Sequence, residues 1–216
     1  MSSLGIHDLG LFMLTSLVLN LTPGADTLYV MSRSARGGWR HGVAGAFGVG
    51  LGCMGHAVAA ALGVAAVLAA SRWAFDALKW AGALYLAWLG LQMLRAAWRG
   101  AGAPAEASEK AAPMPTLRQS FTAGLLTNLL NPKVGLFFLA FVPQFVDVHA
   151  GRPLPAFLLL GLLFNLSGVS WLLLVALLTD RVRGRVAPAL RRALQALGGG
   201  LFLLLAARLA SARGAG

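Results

Sequence analysis

Two short stretches place chemically capable residues inside otherwise apolar runs: NLTPGAD at 20–26 and TNLLNPKVG at 127–135. The first holds Asn20, Pro23, Gly24 and Asp26, and the second Asn131, Pro132 and Lys133. A carboxylate and an ammonium group in apolar surroundings can engage opposite charges on a solute or exchange protons. A charge within a membrane span points by default to a functional site. Each has a plainer reading as well. Asp26 lies near the end of its run and can act as an interfacial cap, and Lys133 can snorkel toward a membrane surface. His56, in GCMGHAVAA, either relays protons, as imidazole does near neutrality, or bonds to a neighbouring helix. Asn165, in LLFNLSG, either lines a cavity or joins helices. Gly45, Gly48, Gly52 and Gly55 stand at three- and four-residue spacing, which close helix packing explains without chemistry.

The elements that must position these groups follow from composition. The chain has 216 residues, of which 58% are hydrophobic and 12% charged, and its mean hydropathy is +0.73. A soluble globule of this size cannot hide so much apolar surface, whereas helices in lipid can, because they close their backbone hydrogen bonds internally. The net charge of +11 raises nucleic-acid binding as a reading. The basic residues instead fall in short clusters between apolar runs, as in an integral membrane protein, and no nucleic-acid partner is expected. The single cysteine, Cys53, excludes an intrachain disulfide and a dithiol reductase. No Lys or Arg precedes Arg33, so 7–31 reads as a retained span rather than a signal peptide.

Six runs have spanning length: 7–31, 43–70, 77–97, 121–146, 154–178 and 189–209. With six spans, twelve Lys and Arg residues fall in the loops of one face and five in those of the other, with Lys133 inside a span. This bias places the first face in the cytoplasm and both termini in the periplasm. The segment 100–118, rich in alanine and proline, reads as a flexible cytoplasmic linker between halves 1–99 and 119–216. Three spans per half is an odd number, so halves of like fold must be inverted in the membrane, a recurring transporter plan. The fold expected is an all-α integral membrane protein of about six transmembrane helices. These form two inverted three-helix repeats whose first and fourth helices are broken by proline.

A proline within a helix removes one donor and displaces the carbonyl four residues earlier, and Gly24 relaxes the backbone beside it. Asn20 and Thr22 are candidates to satisfy the groups so freed. Non-helical backbone at membrane depth is tolerated where it is buried in protein or lines a cavity, so the breaks imply a cavity toward which Asp26 can point. A direct Asp26–Lys133 ion pair requires that both breaks be unwound. The sequence contains no nucleophile–base pair, metal-ligand cluster or nucleotide-binding loop. No cofactor or metal is expected, and ATP is not the direct energy source.

The stretches NLTPGAD, LYVMSRSARGGWRHGVAGAFGVGLG, LKWAGALYLAWLGLQMLR and TNLLNPKVGLFFLAFVPQF together resemble the LysE/RhtB family of amino-acid exporters, over nearly the whole chain except 100–116. Asn20, Pro23 and Gly24 match that family's first-span motif, with Ala25 in place of a second proline, and Asn131, Pro132 and Lys133 match the second. The resemblance implies a bacterial inner-membrane secondary transporter driven by the proton-motive force. Its substrate would be an amino acid or derivative: homoserine, threonine, homoserine lactone or lysine. Its partners would be that solute, protons and lipid, and a homo-oligomer is compatible with it. For a zwitterion, Lys133 would meet the carboxylate, and Asp26 the ammonium group or the coupling proton. The competing classes are a passive facilitator or channel, which needs a continuous polar path, and a membrane-embedded enzyme, which needs a catalytic constellation.

Overall fold

The computed structural model describes residues 4–70, 114–147 and 153–182, with scattered helical positions between 80 and 98 and between 193 and 207. The described residues are nearly all helical and form no β-strand beyond one antiparallel bridge, Ile6 to Val146.

The first apolar run is two helices, α1 (Leu9–Leu21) and α2 (Ala25–Gly37), meeting at 47°. Helix α1 stops because Pro23 lacks an amide proton and forces the preceding residue out of the helical region. Thr22 accordingly adopts φ −72°, ψ 117°. Gly24, fully extended, starts α2, and Asp26 falls in its first turn, where the helix dipole favours a carboxylate. Helix α2 continues through Arg33 and Arg36, beyond the expected end at 31, because a helix leaving an apolar layer can carry charges into the aqueous phase. Gly38, at φ +79°, turns the chain into α3 (Trp39–Ala70), a conformation that a side chain would strain.

The second half opens the same way. Helix α4 (Leu117–Leu129) is started by a capping box in which Thr116 and Gln119 satisfy each other's backbone amides. It ends at the second break, and α5 (Pro132–Leu136) begins there with Asn131 as N-cap and proline in its first turn. A π-helical turn (Phe137–Phe141) and a 3-10 turn (Val142–Phe145) prolong it, at 49° to α4. Helix α6 (Pro153–Val182) follows.

Helices α3 and α6 are each long and apolar enough to span a bilayer, and the two bent pairs bring the candidate spans to four. The third and sixth expected spans, 77–97 and 189–209, are described only at scattered positions, all of them helical. There Gly90 and Gly199 touch backbone to backbone: a Cβ on either would lie 2.8 Å from the other's carbonyl oxygen. Residues 101–113, most of the expected linker, lie outside the described residues.

The two broken helices lie side by side and antiparallel. Ile6 bridges Val146, Lys133 reaches Leu19, Asp26 reaches Asn128, and Tyr29 reaches Ser120. Helix α3 packs against α4 through the glycine series: a Cβ at Gly48 would run into the Phe121 carbonyl, and one at Gly52 would lie 3.0 Å from Asn128. A phenylalanine-rich core (Phe12, Phe137, Phe138, Phe141, Phe157) fills one side of the breaks, and a smaller core around Val30, Ala46 and Leu172 fills the other.

Candidate functional site

The two breaks meet at a cavity of about 50 Å³ between these cores. At roughly 10–15 Å³ per water, it holds about three to five water molecules. Asn20, Gly24, Asp26, Asn131, Lys133 and Asn165 all line it.

The missing amide of Pro23 frees the carbonyl of Leu19. That carbonyl accepts a hydrogen bond from Lys133 Nζ at 2.9 Å, and the Thr22 carbonyl accepts a second at 3.2 Å. Lys133 thus caps the end of α1 from the opposite half of the chain. The lysine passes directly beside Gly24, where a Cβ would lie 3.5 Å from Nζ, at van der Waals contact. Reciprocally, Asp26 Oδ2 accepts hydrogen bonds from the side-chain amides of Asn128 and Asn131, each at 3.0 Å. Asn131 Oδ1 in turn accepts from the Lys133 backbone amide at 3.1 Å. Each break is therefore stitched by the charge of the other.

The stitching leaves valences over. An ammonium group has three donors, of which Lys133 uses two here. Asp26 Oδ1 is buried and has no hydrogen-bond partner. Both breaks are unwound, yet Asp26 and Lys133 form no ion pair with each other: each spends its contacts on the opposite break.

Other expectations need adjusting. Asn20 does not turn back to its own break. Its amide donates across to Ser167 Oγ at 2.8 Å and the Phe164 carbonyl at 3.3 Å, because α6 passes close by: a Cβ on Gly168 would lie 3.1 Å from Asn20 Oδ1. The Thr22 hydroxyl does not reach a freed group either: it donates at 2.7 Å to the Val18 carbonyl, which already accepts from the Thr22 backbone amide at 3.0 Å. His56 Nε2 pairs with the Asn128 carbonyl at 3.0 Å, so the ring sits beside the second break and outside the cavity lining.

Two lining residues carried no assigned role in the sequence reading. Asn128 belongs to the TNLLNPKVG stretch, and its three-residue spacing from Asn131 puts both amides on one side of the chain, a signal present in the sequence. Trp171 is an indole within a leucine-rich run, and its Nε1 is buried without a partner.

A family model described as LysE type translocator matches residues 17–213. The chain belongs to that family. It is 35% identical over 209 residues to a homoserine/homoserine lactone efflux protein of Salmonella typhimurium, covering 94% of this chain and 95% of that one. It is also 40% identical over 172 residues to an uncharacterized membrane protein of Pseudomonas aeruginosa, covering 80% of this chain and 79% of the relative. No solved structure matches. Family and apolar helices together make this a membrane-embedded translocator, and the stitched breaks lie within the matched region.

Proposed function

We propose that this LysE-type translocator exports a small amino acid or amino-acid derivative of the homoserine type from the cytoplasm across the inner membrane, driven by the proton-motive force. The observation that carries the reading is the free valence on each of the two charges at the cavity. A zwitterion presents one carboxylate and one ammonium group. The unused donor of Lys133 suits the first and the unpartnered Oδ1 of Asp26 suits the second. The efflux protein of Salmonella typhimurium, alike over nearly its whole length, supports the direction of transport and the substrate type.

The same proposal includes six spans in two inverted three-helix repeats, with both termini in the periplasm. The antiparallel course of the two broken helices and the Gly90–Gly199 contact support it. Rocking of the repeats about a site at their interface would alternate access. In this conformation Asp26 Oδ1 is sealed within the protein, so loading requires the site to open. Proton coupling rests on Asp26, whose carboxylate can take up a proton when substrate leaves, with His56 nearby as a second acceptor.

Inverted membrane vesicles carrying the protein test this. Labelled homoserine should accumulate saturably under an imposed proton gradient, and a protonophore should abolish the accumulation. Saturable flux at an unchanged rate after collapse of both the pH gradient and the membrane potential would make the protein a facilitator. No flux above vesicles lacking the protein would overturn the reading altogether.

A further inference from the structure

Four asparagines line the cavity, and three are engaged through their side-chain amides. Asn20 bonds to α6, and Asn128 and Asn131 bond to Asp26. The side-chain amide of Asn165 makes no hydrogen bond among the described residues, although it is partly buried against α3, where a Cβ on Gly50 would lie 3.3 Å from its Oδ1. One helical face of α6 carries Asn165, Gly168, Val169 and Leu172, at three- and four-residue spacing, with Trp171 at its edge, and all five line the cavity. The Trp171 indole can only donate, and its Nε1 is sealed from solvent with nothing to donate to. This face therefore offers an amide with both donor and acceptor, and an indole donor, neither of which the fold itself uses.

The charge balance of the cavity narrows what can satisfy them. Asp26 and Lys133 are its charged lining residues, one of each sign. Once a zwitterion engages both, no charge remains for a third. A cationic side chain would meet Lys133 with no second carboxylate, and an anionic one would meet Asp26 with no second cation; either would be buried unpaired. An aliphatic side chain would leave the indole N–H and the Asn165 amide unpaired. A site built around such groups discriminates against ligands that cannot pair with them.

We propose that Asn165 and Trp171 read the distal group of the substrate, and that this group is uncharged and carries an oxygen: a hydroxyl, a lactone carbonyl or a carboxamide. The inference rests on the amino-acid export reading above and adds to it the two residues that set side-chain selectivity.

The test uses the purified full-length protein in proteoliposomes, with labelled homoserine counterflow competed by homoserine, by its apolar counterpart norvaline, and by lysine. The wild-type protein should prefer homoserine to norvaline by about tenfold or more, the equivalent of one or two hydrogen bonds, and lysine should not compete. Trp171→Phe keeps the ring and removes the N–H, and Asn165→Leu keeps the size and removes the amide. Each should raise the KM for homoserine roughly tenfold and bring the preference over norvaline below about threefold, at unchanged yield and melting temperature. Equal KM increases for homoserine and norvaline in both variants would overturn the proposal, since that is what a packing role produces. Effective competition by lysine would overturn it too. Homoserine and norvaline transported equally well by the wild-type protein would overturn it while leaving the export reading standing. Transport of none of the three would overturn both.

Discussion

Asp26→Asn separates the charge at the first break from its bonding geometry. Asparagine has the same shape, and its side-chain oxygen can still accept from the amides of Asn128 and Asn131, the bonds made at 3.0 Å by Asp26 Oδ2. The stitch across the second break should therefore hold, and the melting temperature in detergent should change little. What is lost is the negative charge offered to a substrate ammonium group. A hydrogen bond to a charged group contributes about 1.5–3 kcal/mol, which is roughly a 10- to 150-fold rise in the KM for export. The contrast is Lys133→Met. It removes the bonds to the Leu19 and Thr22 carbonyls and leaves a broken helix end buried without a partner. It should lose transport and also melt several degrees lower. The assay is concentration-dependent homoserine uptake into inverted vesicles, normalised to protein in the membrane, beside thermal unfolding of the purified variants. A KM for Asp26→Asn within about threefold of wild type, a shift of less than about 0.7 kcal/mol, would refute the assignment of Asp26 to the substrate. An unchanged melting temperature for Lys133→Met would refute the stitch.

Alkaline phosphatase fused after Gly216 should be active and fusions within 100–116 inactive, and the opposite pattern would remove the six-span topology. Gly48→Leu should lower stability by about 1–3 kcal/mol or prevent folding, because its side chain would run into the Phe121 carbonyl at the α3–α4 contact; a variant of normal melting temperature would show that the two helices can separate without cost. Pro23→Ala should restore the amide to Leu19 and compete with Lys133 for that carbonyl, lowering transport of every substrate in parallel, and a change in selectivity alone would count against a purely conformational effect.

The breaks were legible in the sequence because their signals are local. Proline, glycine and asparagine beside a charge announce an interrupted helix wherever they occur, and Pro23 and Pro132 both interrupt one. The general rule even picks out the freed carbonyl, four residues before Pro23. Its partner was not legible, since Lys133 lies 114 residues away and only the antiparallel packing of the two broken helices brings it there. The same limit hid the direction of Asn20, whose amide answers to α6 rather than to its own neighbours. Trp171 was hidden differently: its indole N–H becomes informative only when burial shows that nothing satisfies it. The glycine series was read correctly as packing, since small residues at helical spacing have few other uses.

The coincidence of the breaks with the proposed binding groups has a physical reason. Backbone opened at membrane depth must find partners inside the protein. A neutral side chain that serves as such a partner is largely used up by the task, as Asn131 is, with its amide on Asp26 and its oxygen on a backbone amide. A charged group is not. An ammonium ion that caps two carbonyls keeps a third proton, and a carboxylate that holds two amides through one oxygen keeps the other oxygen free. Satisfying an opened helix with a charge thus creates a binding valence at the place where the backbone is least constrained by its own hydrogen bonds. Because the Lys133 stitch serves the first break and the Asp26 stitch serves the second, a solute that engages both valences touches both halves of the chain at once. In the proposed transport cycle, movement of one half against the other would then alter the site directly, with no intermediary needed to report that it is occupied.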